Sequence, residues 1–142
     1  MKVLITGGHI TPALAVIDEL KDCEIVIVGR KFAFASDTSE SLEYKEITKR
    51  DIRFIDLKAG RLTRVLSLGS LVNVLKIPLG FVGALSILTK EKPDVVLTFG
   101  GYIALPIAFA ANVLKIPIVI HEQTIRPGSA NGLIGKLAQK IF

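Results

Sequence analysis

The fold is decided by the stretch from Lys2 to Leu20, KVLITGGHITPALAVIDEL. Lys2-Val3-Leu4-Ile5 reads as a short buried strand, and Ala13 to Ile17 reads as helix. Two glycines and a histidine stand in the turn between them, at Thr6-Gly7-Gly8-His9. Glycine lets a backbone turn tightly and lets a ligand come close to its N–H groups. A helix N-terminus behind such a turn favours an anion, through unsatisfied N–H groups and the helix dipole. Thr11 is placed to cap the helix, with Pro12 at its first position.

The same alternation runs outward along the chain. Apolar runs of strand length fall at Val3–Ile5, Ile25–Val28, Phe54–Leu57, Val95–Thr98 and Ile118–Ile120. Helical patterns lie between most of them, at Pro12–Lys21, Arg64–Lys90, Tyr102–Leu114 and Ser129–Gln139. Strands alternating with helices indicate an α/β protein, a Rossmann-like doubly wound parallel sheet with helices on both faces. The strands lack polar alternation, as expected when both faces are buried. Pro93 and Pro117 start the strands that follow their helices, and Ser129 is a candidate cap after the Pro127-Gly128 turn. The polar stretch from Lys31 to Arg50 reads as a loop with a short helix near Glu40–Lys45. Lys140-Ile141-Phe142 reads as the start of a sixth strand, which suggests one domain, 1–142, cut from a longer chain or forming half of a split protein.

Composition narrows the class. Half of the 142 residues are hydrophobic, which argues against disorder. Eighteen basic and 13 acidic side chains give a formal charge of +5, which suits anionic partners. The basic residues are scattered and form no recognition motif, so no nucleic acid is expected as partner. One cysteine, Cys23, excludes an internal disulfide and reads as a small buried apolar residue. Two histidines and a lone cysteine make no metal cluster, and no cofactor is expected. The N-terminus enters a strand and not a signal peptide, which points to the cytoplasm.

In a doubly wound sheet, ligands bind beyond the carboxyl ends of the strands. Three conspicuous stretches fall there: Thr6-Gly7-Gly8-His9, Phe99-Gly100-Gly101-Tyr102 and His121-Glu122-Gln123-Thr124. Two glycine turns side by side could hold a diphosphate. Taken singly, each stretch also has a plain structural reading: a bare turn, a solvated or capping His9, a core His121, a surface Glu122. No Walker loop and no Gly-x-Gly-x-x-Gly is present. The span Leu62–Leu88, LTRVLSLGSLVNVLKIPLGFVGALSIL, is apolar nearly all round, broken by Lys76 and Pro78 and flanked by Arg61, Arg64, Lys90 and Lys92. The break argues against a membrane span. Two shorter helical pieces fit it, either lying partly against an anionic bilayer or wholly buried.

The stretches TGGHITPALAVIDEL, KPDVVLTFGGYIALPIAFAANVLKIPIVIHEQ and PGSANGLIGKLAQKIF together resemble the N-terminal half of the MurG-like glycosyltransferases of family 28. The resemblance runs from end to end and is weakest between about Lys31 and Leu79. It implies the acceptor-side half of a GT-B fold, with the donor-binding C-terminal domain absent. The implied activity is transfer of N-acetylglucosamine from UDP-GlcNAc to an undecaprenyl-diphosphate-linked muramyl-peptide, at the cytoplasmic face of the plasma membrane. This chain alone would then be inactive. Carried over, His9 is the catalytic residue, and Gly7, Gly8, Gly100, Gly101 and Tyr102 hold the acceptor diphosphate. Thr6, His121, Glu122, Gln123 and Thr124 face the donor sugar, and Arg64, Leu68, Leu71, Leu75 and Lys76 form a peripheral membrane patch. A donor domain, in cis or in trans, is the implied partner. The alternative is a membrane-anchoring acceptor subunit of a split GT-B enzyme acting on another lipid-linked sugar. Two departures stand out: the family loop Gly-Gly-Thr-Gly-Gly-His is shortened here to Thr6-Gly7-Gly8-His9, and the family His-Glu-Gln-Asn ends here in Thr124.

Overall fold

A computed structural model of the chain describes residues 1–32, 39–57, 68–124 and 127–142, with the side chains of 68–77 left aside. The elements in chain order are β1 (Lys2–Thr6), α1 (Ile10–Glu19), β2 (Glu24–Gly29), α2 (Leu42–Thr48), β3 (Arg53–Asp56), α3 (Leu68–Glu91), β4 (Val95–Thr98), α4 (Ala104–Val113), β5 (Ile118–Ile120), α5 (Ser129–Gly135) and β6 (Lys140–Ile141). The six strands form one sheet in the order β3-β2-β1-β4-β5-β6, and every pairing is parallel. This is the Rossmann-like sheet that the alternation predicts. Its order reverses between β1 and β4, so the crevice at that point is where such sheets take ligands.

The pleat sorts the apolar residues onto two faces. Val3, Ile5, Ile27 and Phe99 pack with Ala13 and Ile17 of α1 and Ile47 of α2. Leu4, Val28, Val96, Ile118 and Ile120 face the other way, against Ala84 and Leu88 of α3, the alanine-rich α4 and Ile134. Cys23 is half-buried at the edge of the first cluster, more open than expected of a core residue.

Several boundaries differ from the sequence expectation. α1 begins at Ile10, so His9 and not Thr11 is the N-cap, and its side chain makes no capping bond. The ring has another partner, described below. Ser129 is likewise the first helical residue, after Gly128. α5 stops at Gly135, because Gln139 is already at the sheet edge: its N–H donates to Ile118 O (2.9 Å) and its Oε1 accepts from Ile118 N (2.5 Å). The short helix α2 lies two to three residues later than expected, capped by Ser41, whose Oγ accepts from Tyr44 N at 3.1 Å. α3 is one continuous helix through Pro78 and not two pieces. Proline removes one intrahelical bond, and the helix carries on past it.

The far end of the sheet is tied by charge. Glu91 ends α3 with its side chain only 3% exposed, and it accepts from Lys2 Nζ at 3.0 Å and Arg53 Nη2 at 2.8 Å. Asp94 Oδ2 accepts from Lys2 N at 2.6 Å. α3 is thereby fixed to β1 and β3 at the edge remote from the crevice. Glu91→Ala should lower the unfolding free energy by about 2 kcal/mol, the loss of charge-assisted bonds to a buried acceptor. Urea denaturation reads this directly; an unchanged midpoint would mean the network is effectively solvated.

Candidate functional site

The turns after β1 and β4 touch. A Cβ added to Gly8 would lie 2.4 Å from the carbonyl oxygen of Gly100, and one added to Gly101 would lie 3.4 Å from Gly8 Cα. Gly100 and Gly101 have φ of +85° and +86°, a conformation that other residues rarely adopt. The glycines therefore serve first to let two backbones meet at the switch point. Three of their four N–H groups are engaged inside the protein. Gly7 N donates to Val28 O (2.8 Å), Gly100 N to Thr98 Oγ1 (3.0 Å) and Gly101 N to Asn131 Oδ1 (3.3 Å). Among the described residues, only the Gly8 N–H is left for a ligand, with the first N–H groups of α1 behind it.

His9 sits beside this contact. Its Nδ1 lies 2.9 Å from Phe99 O. A carbonyl only accepts, so Nδ1 carries a proton, and the neutral tautomer that fits this contact has its lone pair on Nε2. β4's outgoing turn thus sets the tautomer of the histidine on β1's outgoing turn, which also explains why the side chain of the N-cap His9 makes no capping bond.

A pocket of about 310 Å³ opens next to the paired turns, lined by Gly7, Gly8, Arg30, Glu43, Gly101 and Tyr102 among others. Arg30 Nη1 donates to the Tyr102 hydroxyl at 2.6 Å, and its guanidinium carbon lies 5.9 Å from the ring centroid. Glu43, from the first turn of α2, lays its carboxyl on two glycines that face each other across β1 and β2. Its Oε1 lies 1.5 Å from where a Gly7 Cβ would be and 2.7 Å from a Gly29 Cβ. That oxygen is buried and has no hydrogen-bond partner. Burial pushes the carboxyl up from its usual 4.5 to about 7.

The third stretch forms a separate brace. Glu122 Oε1 accepts from Thr124 N (2.9 Å) and Thr124 Oγ1 (2.6 Å), and its Oε2 accepts from Asn131 Nδ2 (2.6 Å). These bonds, Thr124's first, hold the Glu122 carboxyl below the usual carboxylate range. Asn131 then carries the connection to Gly101, so α5 steadies the second glycine turn. Thr6 is fully buried, its Oγ1 donating to Thr98 Oγ1 at 2.9 Å, and supports the turns from below. Gln123 and Thr124 are exposed. His121 lies against Phe99 at 5.5 Å between centroids and lines a different, apolar cavity of about 400 Å³ with Val16, Leu20, Leu97 and Phe142. Among the described residues no group of three or more His, Cys, Asp or Glu could hold a metal ion. Arg64 lies outside the described residues, and Leu68, Leu71, Leu75 and Lys76 are placed only as positions of α3. Arg30, Glu43 and Asn131 were not foreseen from sequence.

Comparison with known proteins settles the family. The N-terminal domain of glycosyltransferase family 28 matches residues 6–142. The chain belongs to that family. One family 28 relative, from Shouchella clausii, is 35% identical over 147 aligned positions, covering 99% of this chain and 39% of its own length. A second, from Caldicellulosiruptor saccharolyticus, is 40% identical over 141, covering 96% and 36%. Both are named UDP-N-acetylglucosamine–N-acetylmuramyl-(pentapeptide) pyrophosphoryl-undecaprenol N-acetylglucosamine transferase. The crystal structure of Acinetobacter baumannii MurG superposes with a TM-score of 0.75 at 27% identity, covering 99% of this chain and 40% of that one. The chain thus spans well under half the length of the family 28 relatives it matches.

The buried Glu43 carboxyl has a consequence for stability. Its folded value lies above its unfolded one, so the native state binds the extra proton and stability falls as pH rises between about 4.5 and about 7. At ~1.4 kcal/mol per tenfold change in proton affinity, the loss is about 3 kcal/mol. Glu43→Gln should flatten that decline in denaturation curves taken from pH 5 to 8. A decline of the same size in the variant would assign it to other groups.

Proposed function

We propose that this domain provides the acceptor side of an inverting N-acetylglucosamine transfer, from UDP-GlcNAc to a muramyl-peptide carried on undecaprenyl diphosphate. The observation that carries the reading is His9, whose ring places its Nδ1–H on Phe99 O and whose Nε2 has no hydrogen-bond partner among the described residues, beside two touching glycine turns in a family 28 domain. In this reading Nε2 takes the proton of the acceptor hydroxyl as its oxygen attacks the anomeric carbon of the donor sugar. The bond from that carbon to the UDP oxygen breaks, and UDP leaves with the electron pair. No covalent enzyme intermediate is needed. The acceptor diphosphate rests at the paired turns, with Gly8 giving its N–H and Gly7, Gly100, Gly101 and Tyr102 shaping the seat. Glu122, Gln123 and Thr124 face the donor, which a second domain holds, in the same chain or another.

Docking at the cytoplasmic face of the plasma membrane belongs to the same proposal. α3 exposes Leu79 and Val82, at 67% and 61%. They continue the three- and four-residue spacing of Leu68, Leu71 and Leu75. Among the described residues no helix is long and apolar enough to cross a membrane. The basic excess would add attraction to anionic lipid.

Two results test the proposal. In an enzyme pairing this domain with a donor-binding domain, His9→Ala should lower kcat by about a hundredfold or more, with the melting temperature unchanged. Retained turnover would remove His9 from the chemistry. Leu79→Gln with Val82→Gln should weaken binding to vesicles containing anionic lipid by about tenfold or more. Unchanged affinity in the folded variant would place the membrane contact elsewhere.

A further inference from the structure

We propose that Arg30 and Glu43 grip the phosphate end of the ligand in the pocket beside the glycine turns. The guanidinium pairs with one oxygen of a diphosphate diester, and the carboxyl of Glu43, in its acid form, donates a hydrogen bond to another. The proposal rests on the acceptor-side reading above and names two residues outside the stretches that carry the family resemblance.

Three observations converge. First, the glycine turns have few backbone donors to offer, since the N–H groups of Gly7, Gly100 and Gly101 are already bonded within the protein. An anion seated there needs side-chain donors. Second, Arg30 lines the pocket as a cation in no ion pair among the described residues. One of its five N–H donors is anchored on the Tyr102 hydroxyl, which aims the planar group and leaves the rest for a ligand. Third, the fold maintains a seat for the Glu43 carboxyl. Gly7 and Gly29 must both lack a side chain for it to fit, yet its buried Oε1 receives no hydrogen bond from the protein. A desolvated carboxyl favours its neutral form, and a neutral carboxyl is a donor. Its proton affinity, raised so that it titrates at about 7, keeps much of it protonated near neutral pH. An incoming anion raises that affinity further.

Among the described residues, the groups around Glu43 come from β2, β3, α2 and the glycine turns. Arg30, Ser41 and Tyr102 share the pocket, and Tyr44 stands next to Glu43 in sequence on α2. Lys31 is 3.8 Å from Glu40 and 4.9 Å from the Tyr44 ring centroid. His9 follows the glycine turn that carries Gly7, and Phe54 of β3 closes on Gly29. Of these, His9 is the residue already assigned to the chemistry, so the test has to separate it from Glu43.

The test is calorimetric titration of the full chain with a soluble geranyl diphosphate ester of N-acetylmuramic acid, at pH 6, 7 and 8. Its diphosphate diester keeps a constant charge over that range. Affinity should fall about tenfold from pH 6 to pH 8, as expected of a required proton on a group titrating near 7. Glu43→Gln, whose amide donates at every pH, should match the wild type at pH 6 and lose the slope. Arg30→Gln should bind about tenfold or more weakly and keep the slope, and His9→Asn should keep it too. A slope surviving in Glu43→Gln but lost in His9→Asn would overturn the proposal, as would an Arg30→Gln chain that binds like the wild type. Should Glu43→Gln fail to fold, NMR of the Glu43 carboxyl carbon in the wild type decides. Saturating ligand must move its titration upward, and a titration left in place or driven down overturns the assignment. A wild-type chain that binds at no pH would instead remove the acceptor-side reading itself, and this proposal with it.

Discussion

The whole arrangement depends on the contact between Gly8 and the Gly100 carbonyl. A methyl group on Gly8 would sit 2.4 Å from that oxygen, which no backbone shift at a packed switch point absorbs cheaply. Because the two turns can touch, Phe99 O comes within 2.9 Å of the His9 ring. The histidine is thereby fixed in one tautomer by the neighbouring strand. The same approach sets Gly101 and Tyr102 beside Gly7, and so closes one wall of the pocket that holds Arg30. The orientation of the histidine and the shape of the pocket both follow from one absent side chain.

Much of this was legible in the sequence, for physical reasons that differ by element. The strands declared themselves because both sheet faces are covered, which leaves runs such as Val3-Leu4-Ile5 and Val95-Val96-Leu97 with no polar alternation. The glycine pairs and the histidine declared themselves by their place after a strand. The sixth strand, a bare Lys140-Ile141, was readable only as a hint and pairs with β5. The helix starts were misread where a local cap competed with a longer-range bond: Thr11 had the right type, but the chain used His9 because its ring binds Phe99 O. Pro78 looked like a break and is carried inside α3.

The pocket chemistry was much less legible. Arg30 is one basic residue among many until its guanidinium is found on Tyr102, seventy-two positions away. Glu43 sits on a short helix, and nothing in its neighbours announces that two glycines beyond β1 and at the end of β2 are cleared for it. Asn131 likewise acts through contacts with Glu122 and Gly101 that only the folded chain provides. Thr6 reads as part of the ligand loop but is buried on Thr98. One signal was available: Gly29 at the end of β2, where another strand-end glycine faces Gly7. Paired small residues at adjacent strand ends mark room for something.

The central claim is that the paired glycine turns form the seat of a lipid diphosphate. Amide NMR of the isotopically labelled chain, titrated with a short-chain soluble diphosphate-linked sugar acceptor, tests it most directly. The account predicts shifts concentrated at Gly7, Gly8, His9, Gly101 and Tyr102. Shifts confined to α3, or none at all, would contradict it and leave the domain a docking scaffold whose chemistry resides elsewhere.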